Sequence, residues 1–201
     1  MCHRISPLLR AELEEALDML HESGHARVPQ RDSKVKVPDV YPGQQMPLFV
    51  ADAGGGLAVA TLTWGFDAPP GSRSKLLFNT RIETAVQHAR TGRGLWAEAI
   101  QQGRCLVPVR GFYEHWTVSP PQRGVQVRFT LPRHRVFLLA GVQQDGRFSV
   151  VTTAPNADVA TVHNRMPLVL GLGESHLWMG PEYAVLADRS GIALAGEVED
   201  A

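Results

Sequence analysis

Cysteine stands at position 2, directly behind an initiator methionine. Removal of Met1 leaves an α-amine and a β-thiol on one residue, a pairing that no internal position offers. Such a pair reacts with aldehydes: the amine condenses to an imine, and the thiol then closes a thiazolidine ring on the imine carbon. An α-amine titrates near ~7.7, so part of it is unprotonated at neutral pH without the help a lysine needs. Read alone, Cys2 is more simply a packing residue, and it gains meaning from three polar residues set into apolar sequence far away. These are Asn79 after Leu76-Leu77-Phe78, Glu114 inside Gly111-Phe112-Tyr113-Glu114-His115-Trp116, and His163 in His163-Asn164-Arg165-Met166-Pro167. A carboxyl among apolar neighbours is held near neutral pH and can shuttle protons, and an imidazole titrates in the same range. Each also has a structural reading: Glu114 as a salt-bridged core carboxylate, Asn79 as a turn cap, His163 as a satisfied imidazole.

The elements that must position these groups follow from periodicity. Leu8, Leu9, Leu13, Ala16, Leu17 and Leu20 recur at helical spacing and predict an amphipathic helix over 7–22. Residues 23–45 are polar and carry the Pro42-Gly43 turn signal, which predicts a long ordered loop. Strands are predicted at 46–50, 57–66, 76–79, 105–109, 111–116, 125–130, 136–142 and 148–153, with a turn or helix at 81–90 and a helical segment at 95–100. The acidic end from Glu197 is expected to fray. The pattern lacks regular βα alternation and predicts an α+β fold: one domain over 1–201 with a strand-rich, antiparallel, partly barrel-like sheet and a few peripheral helices.

Composition narrows the function classes. The 201 residues suit one well-buried domain, and 19 Gly with 14 Pro point to many turns. Two cysteines make no disulfide scaffold, so a reducing compartment is expected. The opening has no apolar h-region and no run reaches the length of a membrane span, which leaves cytoplasm or nucleoid as the expected location. P-loop, dinucleotide-glycine, zinc-finger, HExxH and GxSxG patterns are absent, so neither a cofactor nor a metal is expected. Net charge is formally zero, yet residues 71–140 hold eleven Arg or Lys against three acidic residues, while 171–201 hold one against six. A basic middle segment suits phosphate contacts.

In order along the chain, Cys2 with Arg4, Val40-Tyr41-Pro42-Gly43, Trp64-Gly65-Phe66, Asn79-Thr80-Arg81-Ile82-Glu83-Thr84, the Glu114 block and the His163 block resemble the SOS response-associated peptidase (SRAP) family. Its members sense abasic sites in single-stranded DNA. The resemblance implies Cys2 as nucleophile, Asn79 as positioner of the Cys2 end, Glu114 as proton shuttle, and His163 as the proton-transfer group for sugar ring opening and for reversal. It implies a covalent DNA–protein crosslink, a single-stranded DNA partner carrying an abasic site, and peptidase-like loss of Met1; a monomer is expected. Arg4, Arg81 and Arg165 are expected to contact phosphates. Trp64, Phe66 and Trp116 are expected as base-stacking surfaces, with burial in the core as the alternative for each tryptophan.

The chain departs from the family pattern at three places. His3 replaces a usual Gly and is expected to crowd the DNA or alter how the amine is presented. Asp39 replaces a usual Asn, which removes two amide donors and is expected to place negative charge near a DNA groove. The chain ends soon after Asp188 and is expected to lack a closing strand. Two other function classes stay open at this level: a cysteine hydrolase using Cys2 with His163 and Glu114 on peptide or amide bonds in trans, and a noncatalytic single-strand binding module.

Overall fold

Arg104–Val109 and Phe137–Gln144 are almost continuously apolar because both of their faces are covered. Leu106, Leu138, Ala140 and Val142 point to one core, while Cys105, Val107, Val109, Phe137 and Leu139 point to the other. The computed structural model describes residues 2–23, 37–171 and 173–199. In chain order these form β1 (Arg4–Ser6), α1 (Arg10–Ser23), β2 (Gln45–Ala51), β3 (Leu57–Trp64), β4 (Phe66–Asp67), β5 (Leu76–Leu77) and β6 (Asn79–Arg81). Then follow α2 (Ile82–Thr91), α3 (Ala97–Gln102), β7 (Arg104–Val109), β8 (Gly111–His115), β9 (Gln126–Thr130), β10 (Phe137–Gln144) and β11 (Arg147–Thr153). The chain continues through α4 (Ala157–Ala160), β12 (Met166–Pro167), β13 (Val169–Leu170), α5 (Ser175–Met179), a 3-10 turn at Tyr183–Ala187 and β14 (Ala195–Glu199).

Five strands close on themselves in the order β11-β3-β2-β7-β10, with β10 returning to pair with β11. The ring is antiparallel except at β3–β11, where Thr63 lies opposite Arg147 and Trp64 opposite Phe148. The α+β, strand-rich, barrel-like architecture expected from the sequence is the one observed. Helices α1, α2, α3 and α5 pack on the Leu106–Leu138 side of the ring, where α1 contributes Leu13, Ala16 and Leu20, and α2 contributes Ile82 and Ala85, whereas α4 buries Val159 in the other core. A second, four-stranded sheet runs β1-β8-β9-β14 and shares the other core through Ile5, Phe112, Val127 and Phe129. Among the described residues no helix is long and apolar enough to cross a membrane.

Several expectations need correction. The predicted strand over 57–66 breaks at Gly65, whose φ of 117° is a conformation that only glycine adopts without strain. Its amide donates to Phe148 O at 2.7 Å, which turns the chain out of the ring into the β4–β5 hairpin. The expected loop over 23–45 lies largely outside the described residues, but Val40 pairs with Ile5 and Gln45 already opens β2. The closing strand expected to be missing is present. β14 pairs with β9 from Ala195↔Thr130 to Glu199↔Gln126, so Glu197 and Glu199 are held in a ladder and do not fray.

Candidate active site

Each of the four candidate residues is delivered by a separate part of the fold. Cys2 leads into β1, which lies antiparallel on β8 with Arg4 opposite Tyr113 and Ile5 opposite Phe112. Strand alternation on β8 turns Glu114 inward and leaves its neighbour His115 exposed. Asn79 opens β6, which joins β11 in parallel with Asn79 opposite Val150, and the pairing is pinned by Thr80 Oγ1 donating to Ser149 Oγ at 2.8 Å. His163 follows α4, a helix capped by the Asn156 side chain, which accepts from Val159 N at 2.9 Å. The His163 amide donates to Val159 O at 2.8 Å, closing the turn that aims the ring.

These elements bring Cys2, Asn79, Glu114 and His163 together. The Asn79 amide nitrogen donates to Cys2 O at 2.8 Å, so the residue fixes the main chain beside the Cys2 thiol. Its other atom, Oδ1, is buried and has no hydrogen-bond partner among the described residues. Cys2 and Glu114 are fully buried. His163 Nδ1 lies 3.8 Å from Glu114 Oε2, too long for a direct hydrogen bond and short enough for one small polar group to bridge. The same nitrogen lies 3.0 Å from both the amide N and the carbonyl O of Arg165, so the main chain of that turn orients the ring.

Burial sets the protonation states. It pushes the Cys2 thiol well above its ordinary range, and the negative charge of Glu114 adds to the shift, so the group is a neutral thiol at physiological pH. Burial likewise pushes the Glu114 carboxyl up to about 7. His163 moves the other way. Burial holds its imidazole below the ordinary histidine range and therefore neutral at pH 7. The site thus holds a neutral thiol, a neutral imidazole and a carboxyl able both to give and to take a proton near neutral pH.

The family model for SOS response associated peptidase (SRAP) matches residues 1–194. The chain belongs to the SRAP family. It is 25% identical over 156 residues to the abasic site processing protein YoqW of Bacillus subtilis, a match that covers 72% of this chain and 66% of that protein. It is 26% identical over 196 residues to the abasic site processing protein YedK of Escherichia coli, covering 91% of this chain and 82% of that protein. In fold it is similar to the crystal structure of a phage-related protein of Bordetella bronchiseptica, with TM-score 0.69 at 20% identity over 98% of this chain and 94% of the other. A second crystal structure of a Bordetella bronchiseptica protein gives TM-score 0.67 at 20% identity, with full coverage of both chains.

In this SRAP chain the residues expected to contact DNA separate into two groups. Trp64 is fully buried, donates its indole N–H to Phe78 O at 2.9 Å and stacks on Phe148. Phe66 is buried edge-on against Trp96. Both are core residues with covered faces, so the stacking expectation is corrected for them, while Trp116 stays partly exposed at the rim. Arg4 is engaged by Asp39 and Glu199, and Arg165 forms a two-pronged pair with Glu83 at 2.8 and 3.0 Å. Arg81 is exposed at the end of β6 and makes no ion pair among the described residues.

Tyr113 was not assigned a role from the sequence, and the surroundings of the two departing residues, His3 and Asp39, were not legible there. His3 stacks flat on His115 with ring centroids 4.0 Å apart, beside Cys2. Tyr113 lies under the Arg4 guanidinium, 4.0 Å from ring centroid to Cζ. Asp39 accepts from Arg4 Nε and from Ser6 Oγ. Strand alternation around Glu114 is the signal that separates Tyr113 and His115 from the buried acid.

Proposed function

We propose that the mature chain captures abasic sites in single-stranded DNA covalently through Cys2. Loss of Met1 by hydrolysis frees the α-amine. Ring opening moves a proton from the anomeric hydroxyl of the sugar to the ring oxygen and exposes an aldehyde. The amine adds to the aldehyde carbon, and one water leaves as the imine forms. The thiol then adds to the imine carbon, its proton passes to nitrogen, and the thiazolidine closes. The raised thiol pKa fits this order, because a positively charged iminium beside the sulfur lowers the cost of deprotonation only after the amine has reacted. Neutral His163 takes and returns the proton of ring opening, and Glu114, poised near neutrality, serves imine formation and ring closure.

The observation that supports this reading is the hydrogen bond from Asn79 to Cys2 O beside the buried Glu114–His163 pair. The kinship with proteins named abasic site processing supports the substrate. A trans-acting cysteine hydrolase needs a thiolate activated by its histidine. The buried neutral thiol weighs against that.

Arg81 and Trp116 remain exposed enough to meet a backbone phosphate and a base. The decisive experiment incubates protein of verified mature mass with an abasic single strand and resolves it on a denaturing gel. The expected product has the summed mass of protein and oligonucleotide less one water. An adduct-free gel with mature Cys2 confirmed overturns the proposal, and an adduct formed while Met1 is retained overturns the mechanism.

A further inference from the structure

β1 is a three-residue strand at the edge of its sheet and close to the chain terminus. Segments of this kind fray unless they are tied down. The backbone provides three register pairs with β8 and an exchange with Val40, where Ile5 N donates to Val40 O at 3.0 Å and Val40 N to Ile5 O at 2.9 Å. The side chain of Arg4 adds a tie of another kind. Its guanidinium lies over the Tyr113 ring, and Nε donates to Asp39 Oδ2 at 2.7 Å. Nη1 donates to Gln126 Oε1 at 3.3 Å and also meets Glu199 Oε2, while Nη2 donates to Glu199 Oε1 at 2.9 Å. Gln126 and Glu199 are register partners on β9 and β14, so the arginine reaches across the whole sheet to the C-terminal strand. Asp39 uses its second oxygen to accept from Ser6 Oγ at 2.7 Å, which binds both residues flanking Ile5 to one carboxylate.

The thiol is part of the same assembly. Cys2 Sγ faces Arg4 O at 3.8 Å, within reach of a weak sulfur hydrogen bond. The residue that accepts from the nucleophile is therefore the residue held by carboxylates from two other segments. Two carboxylates, an amide oxygen and an aromatic face occupy most of what a guanidinium can offer, which leaves little for a DNA phosphate. Glu199 also lies beyond residue 194, where the match to the family model ends.

We infer that Asp39 and Glu199 are positioning residues that act through Arg4 to hold the Cys2 end in its reactive place, so that the C-terminal strand serves as a latch on the amino-terminal one. The inference rests on the proposed abasic-site chemistry for its kinetic consequence and on the clamp geometry for its structural one. Glu199→Gln keeps the shape of the side chain and removes its charge.

The test compares wild type and Glu199→Gln in the full chain, each with verified mature Cys2, in single-turnover reactions over a range of abasic oligonucleotide concentrations. Hydrogen exchange at the Ile5 amide is measured on the same samples. The variant is expected to lose about fivefold in maximal adduct rate, the upper end for a partly exposed ion pair, with an unchanged half-saturating concentration and faster exchange at Ile5. Asp39→Asn is expected to act in the same direction. An unchanged maximal rate despite faster exchange makes the clamp merely structural and overturns the inference. Tighter DNA binding with an unchanged rate makes Glu199 a competitor of phosphate for Arg4, which also overturns it. Should wild type form no adduct, the proposed function falls, and the latch is then judged by exchange: equal protection of Ile5 in both proteins refutes it.

Discussion

Glu114 carries an energetic cost that its proposed proton-transfer role explains. Raising a carboxyl from 4.5 to about 7 means that the folded protein binds its proton more tightly than the unfolded chain does. The unfolded chain therefore releases its proton first as pH rises, and folding stability falls from the ordinary carboxylate range up through neutrality, by about 3 kcal/mol in all. Glu114→Gln removes the titration. Its stability relative to wild type is expected to rise by about 3 kcal/mol between roughly pH 4 and pH 8 while adduct formation is lost, as read by denaturant unfolding at the two pH values. Equal pH dependence in both proteins refutes the raised carboxyl. For His163 the expectation separates chemistry from packing. His163→Ala should slow adduct formation about a hundredfold, the scale of a lost proton-transfer group, and leave noncovalent affinity for an undamaged single strand nearly unchanged. A large fall in melting temperature with unchanged kinetics per folded molecule assigns the ring to the Arg165 turn instead.

At the scale of elements, the sequence was most legible where one physical cause dominated. The leucine spacing of α1 and the apolar runs of β7 and β10 follow from burial, and the structure has these elements within a few residues of their predicted bounds. β14 was not legible because Ala-Gly-Glu-Val-Glu offers a single large apolar side chain, Val198. It becomes a strand because the edge of β9 supplies backbone partners and Arg128 lies opposite Glu197. The candidate site was legible as four residue types but not as a clamp, since nothing local to Asp39 or Glu199 points to Arg4, 35 and 195 residues away. Trp64 and Phe66 show the opposite error, in which an aromatic beside a family motif belongs to the core that supports it. A junction tests how tightly the elements are joined. Gly103 leads from α3 into β7 and accepts from Gln143 N at 2.6 Å, and a Cβ there would stand 1.9 Å from Gln143 O. Gly103→Ala is expected to destabilise the fold by about 3 kcal/mol, because backbone atoms of the ring must shift to admit it. Unfolding at unchanged denaturant concentration shows instead that the junction yields freely.

Over the whole molecule, the formal neutrality of the chain is partly a set of contacts. The acidic C-terminal segment folds back onto basic partners, with Glu199 on Arg4 and Glu197 opposite Arg128, while Glu174 meets Arg189 and Glu83 holds Arg165. Glu12 on α1 takes both Arg110 and Arg135 at 2.5 and 2.6 Å. Arginines already facing carboxylates neutralise few phosphates and so release few of a nucleic acid's condensed counterions, which means that the basic excess of residues 71–140 overstates what is free to meet one. Arg81 differs, being exposed next to the strand that carries Asn79. If the proposed single-strand binding holds, each backbone phosphate neutralised contributes about 0.7 to the slope of log affinity against log salt. Arg81→Ala is expected to reduce that slope by about 0.7 and to weaken binding alike for all sequences, whereas Arg4→Ala leaves the slope close to wild type because its charge is already satisfied internally. Salt titrations of both variants on one undamaged oligonucleotide decide between them. A wild-type slope for Arg81→Ala, together with a reduced one for Arg4→Ala, reverses the assignment and returns Arg4 to the DNA.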